Sequence, residues 1–526
     1  MSIDQHIAQF GSFIPGSTIV WKAMFCLAAT WVLLEIGFYL VILFVVLPRA
    51  QKLSKTHPYH GDMMKMMTRA VDLVKQLHCY TFEKYLSGFC LGADFKDIHL
   101  GNFRSFLAWA MFNKHLPDIT EQELNDVCRV LEYAKQEHPE LKSMPEGHNP
   151  EVKHCRMTLD PIPMIHRPLL MYVLIRLKEA ITGTFFMPAY GFQNLEVGGQ
   201  TYWFKKQCSN NSKENSPQKS STVGSTGCEP MLFLHGISTG WGGYLDLACA
   251  MGAGRDIILV DVDAVKLNSL QFQMPTPQKL AESINHILER HHIDRVSLVG
   301  HSFGSMTAGW FLRQHPERVC HVTLIDPVSM LLNFPEVAYS FLYRNPNSLM
   351  EWIIHLFAAR EITISHTLRR NFWWYNNDLW LEEVPDHIGV VVGIATHDEI
   401  INPVAVQEYV GNCRRARIEK RERMSAKARA DDASDASSES AATTSSAKSS
   451  NEGNNGNTLA TADSFSCLEG LENVENVPAK EVKEVAMIEC LVWDNYSHGQ
   501  ILMSSPEHKA LVATVRSNEK LGTRAL

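Results

Sequence analysis

The fold of this chain is decided by the stretch VSLVGHSFG, residues 296–304. Its first four residues form a short, mostly apolar run of the kind found in a buried strand. Glycines at positions 300 and 304 flank Ser302, and small residues there allow a sharp turn from a strand into a helix. Such a turn leaves the Ser302 hydroxyl clear of the sheet edge, close to the positive dipole end of the helix predicted over 305–312. The stretch therefore predicts a serine nucleophile on a strand-to-helix turn.

Three further apolar runs are each followed by residues that serine chemistry requires. A serine hydroxyl is a weak nucleophile until a base removes its proton, and an acid must orient that base. Candidates for the base, the acid and a backbone donor to the oxyanion all follow predicted strands. The runs and the residues after them are 231–234 with Ile237, 389–395 with Asp398, and 488–493 with His498. Nucleophile, acid and base thus occur in the order Ser302, Asp398, His498.

In this combination of motifs, the chain resembles the α/β-hydrolase superfamily over residues 190–515. The resemblance implies an α/β fold in which a mostly parallel sheet is flanked by helices. It also implies that His498 acts as general base for Ser302 and that Asp398 orients the imidazole. The backbone N–H groups of Ile237 and Phe303 fit, by position, an oxyanion hole that stabilises the tetrahedral intermediate.

The identity of the acid leaves an alternative open. Asp326 directly follows the apolar run 322–325, and some hydrolases take their acid from that earlier strand. The loop from Asp398 to Pro403 resembles the usual acid loop and favours Asp398. His321 and Asp326 also match an acyltransferase pattern. Since both lie along one predicted buried strand, chance explains that match better.

Composition excludes several classes of function. A formal net charge of −8 over 526 residues argues against nucleic-acid binding as the main activity. The 12 cysteines are scattered without C-x-x-C pairs or a metal-ligand spacing, which is typical of reduced thiols in an intracellular protein. The sequence therefore indicates neither a metal site nor a cofactor.

The N-terminus predicts a membrane anchor within residues 1–50. Residues 23–47 are apolar apart from Glu35, which suits the ~20 residues needed to cross a bilayer. A carboxylate at mid-bilayer is costly, so Glu35 needs a partner, neutralisation or a tilted interfacial position. Cationic residues follow the span and place the catalytic domain in the cytoplasm by the positive-inside bias. They are Arg49, Lys52, Lys55, Lys65 and Arg69.

Between the anchor and the first predicted strand, residues 51–185 are expected to be helical and separate from the sheet. Thr120 and Glu123 form a helix-start signature. The apolar segment 166–177 is too short to cross a bilayer and is interpreted as a core helix rather than a membrane-interface helix. Residues 192–204, with two glycines at 198–199, predict the hairpin that opens the sheet.

Three segments interrupt the predicted hydrolase domain. Residues 327–386 are expected to form a helical lid, and their many bulky aromatic side chains favour an apolar pocket for an acyl chain or another apolar substrate. Residues 208–229 and 412–484 have low-complexity composition and are predicted to be disordered. The second of these insertions begins with a basic run, interpreted as a solvated run rather than a lipid-binding one.

Taken together, these patterns predict a single-pass, membrane-anchored serine esterase or lipase that acts on a lipid-like carboxylic ester without a cofactor. Two alternatives stay open. The same three residues could transfer the acyl group to an alcohol instead of water, or the chain could be a scaffold that keeps the fold without catalysis. Fold resemblance indicates the reaction class but does not determine the substrate.

Overall fold

An eight-stranded sheet forms the centre of the structure, a computed structural model that describes residues 17–53, 59, 61–207, 229–267, 270, 272–442 and 486–523. The strands are β1 (Gln193–Val197), β2 (Gln200–Lys205), β3 (Met231–Leu234), β4 (Ile257–Val260), β5 (Val296–His301), β6 (Val319–Ile325), β7 (Gly389–Ala395) and β8 (Ile488–Trp493). Their order is β1-β2-β4-β3-β5-β6-β7-β8. Strands β1 and β2 form an antiparallel hairpin, β2 pairs antiparallel with β4, and β3 to β8 are mutually parallel. The predicted α/β fold is confirmed.

The described helices lie before, between and after these strands. In chain order they are α1 (Ser17–Val41), α2 (Leu47–Ala50), α3 (Met63–Gln76), α4 (Phe82–Phe89), α5 (Leu100–Phe112), α6 (Glu121–Glu137), α7 (Leu169–Ile181), α8 (Met187–Ala189), α9 (Leu245–Met251), α10 (Pro277–Arg290), α11 (Gly304–Gln314), α12 (Pro335–Ala338), α13 (Leu349–Ile354), α14 (Ile362–Arg370), α15 (Trp374–Asn377), α16 (Pro403–Ala442) and α17 (Ser505–Thr523). Single π turns join or extend several of them, at Ile42–Val46, Thr182–Phe186, Tyr339–Tyr343 and His355–Ala359. Short 3₁₀ turns lie at Phe95–Asp97, Leu116–Asp118, Pro139–Ser143, Trp241–Gly243, Asp263–Val265, Pro316–Arg318, Leu381–Glu383 and Gln500–Met503.

Both faces of the parallel sheet are covered. Every residue of β3, β4, β5 and β7 is buried, as expected for strands that are apolar throughout rather than alternating. Helices α9 and α17 pack on one face and α10 and α11 on the other, so the sheet separates two apolar clusters. All parallel strands consequently end at one edge, where their loops meet.

The N-terminal helices do not form a separate layer, and that expectation was wrong. Side chains of α3 to α6 belong to the same apolar cluster as α11 and the strands β3 and β5. Specific contacts tie them to the segment between β6 and β7. Trp374 Nε1 donates to the Ala110 carbonyl at 2.8 Å, and the ring of Tyr85 lies 5.4 Å from that of Phe334. The expected helix start is present, since Thr120 Oγ1 accepts the Glu123 N–H and Glu123 accepts the Thr120 N–H.

One helix in the described chain, Ile19–Ala50, is long and apolar enough to cross a membrane, with a mean hydropathy of 2.4. Its side chains are exposed through most of its length, and it contacts the rest of the molecule from Glu35 onward. The interpretation of 166–177 as a core helix was wrong. In α7 only Tyr172 is buried, while Leu174 and Leu177 are more than half exposed.

The prediction that the second insertion, 412–484, is disordered is wrong for its first part, because α16 continues as a helix to Ala442. Its first turns are anchored by buried side chains, including Tyr409 and Cys413. Arg417, part of the basic run expected to be solvated, is buried and donates to the carbonyl oxygens of Val384 (2.7 Å) and Ile388 (2.9 Å). The Ala-, Arg- and Glu-rich sequence that follows has high helix propensity. The remainder of this insertion, and 208–228 of the first, lie outside the described residues.

Two glycines of α11 give a matched test of how tightly the turn at Ser302 is packed. A Cβ on Gly304 would overlap the Leu234 carbonyl oxygen, whereas a Cβ on Gly309 would lie 3.5 Å from Leu379 Cδ1, an ordinary contact. We expect Gly304→Ala to destabilise the protein by about 1–3 kcal/mol through overpacking. Gly309→Ala should be neutral or stabilise it by about 0.5–1 kcal/mol. Melting temperatures of the purified full-length variants measure the difference, and equal values would contradict this packing.

Candidate active site

The turn at Ser302 has the backbone strain expected of a strand-to-helix nucleophile position. Ser302 has φ 51°, in the left-handed region, and its N–H donates to the Ile325 carbonyl at 2.9 Å. The neighbouring glycines allow the close approach of three backbone segments. A Cβ on Gly236 would lie 2.8 Å from Ser302 Cβ, and one on Gly300 would lie 2.6 Å from the Gly304 carbonyl oxygen. The turn is therefore fixed by packing as well as by its own hydrogen bonds.

Three predicted side chains meet at the edge where β5, β7 and β8 end. His498 Nε2 lies 2.8 Å from Ser302 Oγ, and His498 Nδ1 lies 2.6 Å from Asp398 Oδ2. The other oxygen of Asp398 accepts the N–H groups of Ile400 (2.7 Å) and Ile401 (3.0 Å). These bonds fix the carboxylate, which favours the Nδ1–H tautomer when His498 is neutral, and in that state Nε2 can accept the serine proton.

The electrostatics of the site favour a proton on His498. Burial lowers the pKa of the imidazole, but the charge and hydrogen bond of Asp398, with a smaller contribution from Asp326, outweigh it and raise the pKa to about 9. An imidazole in this setting is a strong base for a serine proton and is stabilised once it carries that proton. Chemically, the arrangement can deprotonate Ser302 and then return the proton to a leaving group.

The predicted oxyanion donors Ile237 and Phe303 lie beside Ser302 and line the same cavity. Within the described residues, neither backbone N–H donates a hydrogen bond to another group. The loop that carries Ile237 is held from both sides. His235 Nε2 accepts the Val262 N–H at 3.0 Å, and the Gly236 N–H donates to the Tyr244 hydroxyl at 3.0 Å. Two unused donors on fixed backbone are what an oxyanion hole requires.

Comparison with a protein-family model agrees with this fold. The family model described as alpha/beta hydrolase fold matches residues 229–380, which run from the start of β3 through the segment after β6. The chain therefore has the alpha/beta hydrolase fold. A search of curated proteins finds no significant match.

Among solved structures, this chain is similar to carboxylesterase CesB from Bacillus subtilis, with 12% identity and a TM-score of 0.32, over 66% of this chain and 97% of that one. It is also similar to esterase RhEst1 from Rhodococcus sp. ECU1013, with 10% identity and a TM-score of 0.32, over 63% of this chain and 98% of that one. A structure described as a membrane phospholipase A, a bacterial virulence factor, has 12% identity and a TM-score of 0.34, over 66% of this chain and 98% of that one. Similarity at this level does not extend to substrate or mechanism.

The alternative acid, Asp326, lies next to the site but contacts backbone instead of the imidazole. Its Oδ1 accepts the Ala395 N–H at 3.0 Å and its Oδ2 accepts the Gly499 N–H at 2.8 Å. Asp326 is completely buried, and burial raises the pKa of its carboxyl. Ligand atoms of Asp326, Asp398 and His498 all lie within 4.8 Å of one another, so two carboxylates face one imidazole. Asp326 ties the loop after β7 to the loop that carries His498.

A largely apolar cavity opens at Ser302. The helices before the sheet supply much of its wall, and no chemical motif in residues 51–185 predicted this contribution. Its lining residues are Met67, Ala70, Tyr85, Phe89, Phe106, Trp109, Ala110, Met157, Ile237, Ser302, Phe303, Met306, Val328, Leu332, Asn333, Val337, Ala338, Phe341, Leu342, Leu368, Phe372, Trp374 and Ile400. The predicted lid segment contributes from Val328 to Trp374.

One polar side chain in this wall was missed by sequence reasoning. Asn333 is 4% exposed, and both atoms of its amide are buried without a hydrogen-bond partner among the described residues. An unsatisfied buried amide costs free energy, and buried polar groups of this kind commonly wait for a ligand or water. Asn333 therefore offers a donor and an acceptor inside an otherwise apolar cavity.

Asp398 contacts the imidazole of His498, whereas Asp326 accepts two backbone N–H groups. Isosteric substitution of each acid can therefore separate their roles. Asp398→Asn should place the wrong tautomer on His498 and lower kcat by roughly 10⁴, by analogy with the best-studied triads. Asp326→Asn should lower kcat far less, because Asp326 does not contact the imidazole. Steady-state kinetics on a soluble ester measure both.

The pH profile separates the roles further. If neutral His498 is the base, activity should rise with pH through the pKa of the imidazole. Because the Asp326 carboxylate contributes to raising that pKa, Asp326→Asn should move this rise to lower pH. A larger loss of kcat in Asp326→Asn than in Asp398→Asn would show that the acid is Asp326.

Proposed function

We propose that this chain is a membrane-anchored serine hydrolase that cleaves a lipid-like carboxylic ester through Ser302, His498 and Asp398. One observation carries the proposal. The hydrogen-bonded series from Asp398 through His498 to Ser302 ends at a cavity lined mainly by aliphatic and aromatic side chains, which suits an acyl chain. Nucleophile, base and apolar pocket are thus combined in one place.

In the proposed reaction, Ser302 Oγ attacks the ester carbonyl as His498 Nε2 takes its proton. The N–H groups of Ile237 and Phe303 stabilise the oxyanion, and the imidazolium then protonates the departing alkoxide as the ester C–O bond breaks. Water, deprotonated by His498, attacks the resulting acyl-enzyme. The acid leaves and Ser302 regains its proton.

The cavity wall supports an ester with an apolar acyl chain and one further polar group. Most of the lining is aliphatic or aromatic, so the acyl chain is the part that gains from burial. The amide of Asn333 is placed to pair with a hydroxyl or a second carbonyl on the same substrate. Sites that present a buried hydrogen-bonding group discriminate strongly against analogues that lack its partner.

Membrane attachment is proposed from the helix Ile19–Ala50 and from the length of its exposed apolar surface. The cationic residues that follow it favour a catalytic domain on the cytoplasmic side. Protease accessibility in sealed microsomes reports this orientation directly.

A pair of esters with the same acyl chain tests the substrate class. One carries a free hydroxyl near the scissile bond, as in a partial glyceride, and the other is its deoxy analogue. The wild-type chain should favour the hydroxylated ester in kcat/KM, and Asn333→Leu should lose that preference while hydrolysing the deoxy ester. Ser302→Ala should lower hydrolysis of both by up to about 10⁶-fold.

The controls separate the remaining alternatives. An ester product in place of the free acid when an alcohol is added would assign acyl transfer to the same three residues. If the wild-type protein and Ser302→Ala both hydrolyse every ester only at the background rate, the chain is the non-catalytic scaffold.

A further inference from the structure

Helix α7 presents its apolar side chains to the outside of the molecule. Positions three or four residues apart form one face of a helix, and a water-soluble protein buries such a face. Here each member of that face is at least 40% exposed. The α7 stripe consists of Leu170, Val173, Leu174, Leu177, Ile181 and, in the π turn that follows, Phe185. The opposite face, with Tyr172, packs against the protein.

The start of α7 is joined to the anchor through Glu35. The two carboxylate oxygens of Glu35 accept the backbone N–H groups of Leu169 (2.7 Å) and Leu170 (3.0 Å). A carboxylate within an apolar helix and the free N–H groups at a helix start both need partners away from water. Here the carboxylate and the N–H groups are partners of each other. The rings of Phe38 and Tyr172, 5.6 Å apart, add an aromatic contact between the two helices.

Apolar surface continues along the anchor beyond this joint. Ile36, Leu40, Val41, Phe44 and Val45 are all at least 40% exposed. If the anchor lies in hydrocarbon, the hydrocarbon must cover these residues as well, since otherwise they would face water. The α7 stripe begins at the joint itself and is therefore continuous with a surface already assigned to lipid.

We propose that the α7 stripe is buried in the lipid bilayer beside the anchor, as a second membrane-embedded element that does not cross the membrane. This inference rests on the membrane attachment in the proposed function. It adds α7 as a second part of the protein that contacts the bilayer. A bilayer fits better than a protein partner, because the stripe and the anchor form one continuous apolar surface.

The C-terminal end of α7 contacts the loop of the proposed oxyanion hole. Lys178 Nζ donates to Thr239 Oγ1 at 2.6 Å, two residues after Ile237. Glu179 pairs with buried Lys266 at 3.4 Å, and the Lys266 backbone bridges to Ser238. Arg176, exposed and 3.5 Å from Glu179, can extend its charge to the interface while its stem stays in lipid. Embedding α7 thus places the catalytic centre next to the bilayer, where an ester substrate resides.

Photocrosslinking in lipid nanodiscs tests the inference without relying on activity. Full-length protein carries Leu174→p-benzoylphenylalanine, and the discs contain a phospholipid with an alkyne on its acyl chain. Leu33→p-benzoylphenylalanine reports on the anchor, and Leu124→p-benzoylphenylalanine is the matched control, an exposed leucine of α6 away from both helices. Lipid adducts are expected at 33 and 174 and at most one tenth as much at 124.

An adduct at 33 with no more at 174 than at 124 would overturn the inference and leave the anchor intact. No adduct at any of the three positions would overturn the membrane attachment together with it. In parallel, Leu174→Glu should lower hydrolysis of an ester held in vesicles at least ten-fold and leave hydrolysis of a soluble ester unchanged. Leu124→Glu should change neither, and equal effects of the two variants would also contradict a role for the α7 stripe in membrane contact.

Discussion

The left-handed turn at Ser302 is the constraint on which the rest of the structure depends. A φ of 51° at a non-glycine residue is strained and persists only where the surroundings determine it. Here the surroundings are Gly236, Gly300 and Gly304, whose missing side chains let three backbone segments meet. The same packing that strains Ser302 brings its hydroxyl within 2.8 Å of His498. Stability and reactivity therefore share one set of contacts.

Around this turn, the parallel sheet brings together groups that are far apart in the chain. Strand β7 delivers Asp398, β8 delivers His498, and β6 delivers a second carboxylate, Asp326, in the same neighbourhood. The two acids differ in what they contact. Asp398 is hydrogen-bonded to the imidazole, and Asp326 accepts the backbone N–H groups of Ala395 and Gly499 in the neighbouring loops. The apolar wall of the cavity comes mainly from helices that precede β1 in the chain and from the segment between β6 and β7. The N-terminal helices therefore contribute to the wall of the site.

The parts of this arrangement with local signals were predictable from sequence. Ser302 sits in a glycine pattern after a strand, and Asp398 and His498 follow apolar runs of strand length, so their order and approximate position could be derived. Asp326 could not be placed, because its role depends on whether it faces a ring or two backbone N–H groups. The contribution of Tyr85 and its neighbours to the cavity arises from contacts across more than two hundred residues, which periodicity does not encode. For α7 the apolar pattern was visible, but periodicity does not distinguish a face turned to a protein core from one turned to lipid.

The most direct measurement is the mass of the peptide that contains Ser302 after the full-length protein reacts with a fluorophosphonate. A serine activated by His498 at this turn should carry the phosphonyl group, and the adduct should be absent in Ser302→Ala and strongly slowed in His498→Ala. An adduct on another serine, or an esterase-active protein that leaves the Ser302 peptide unmodified, would contradict the assignment of Ser302 as the nucleophile.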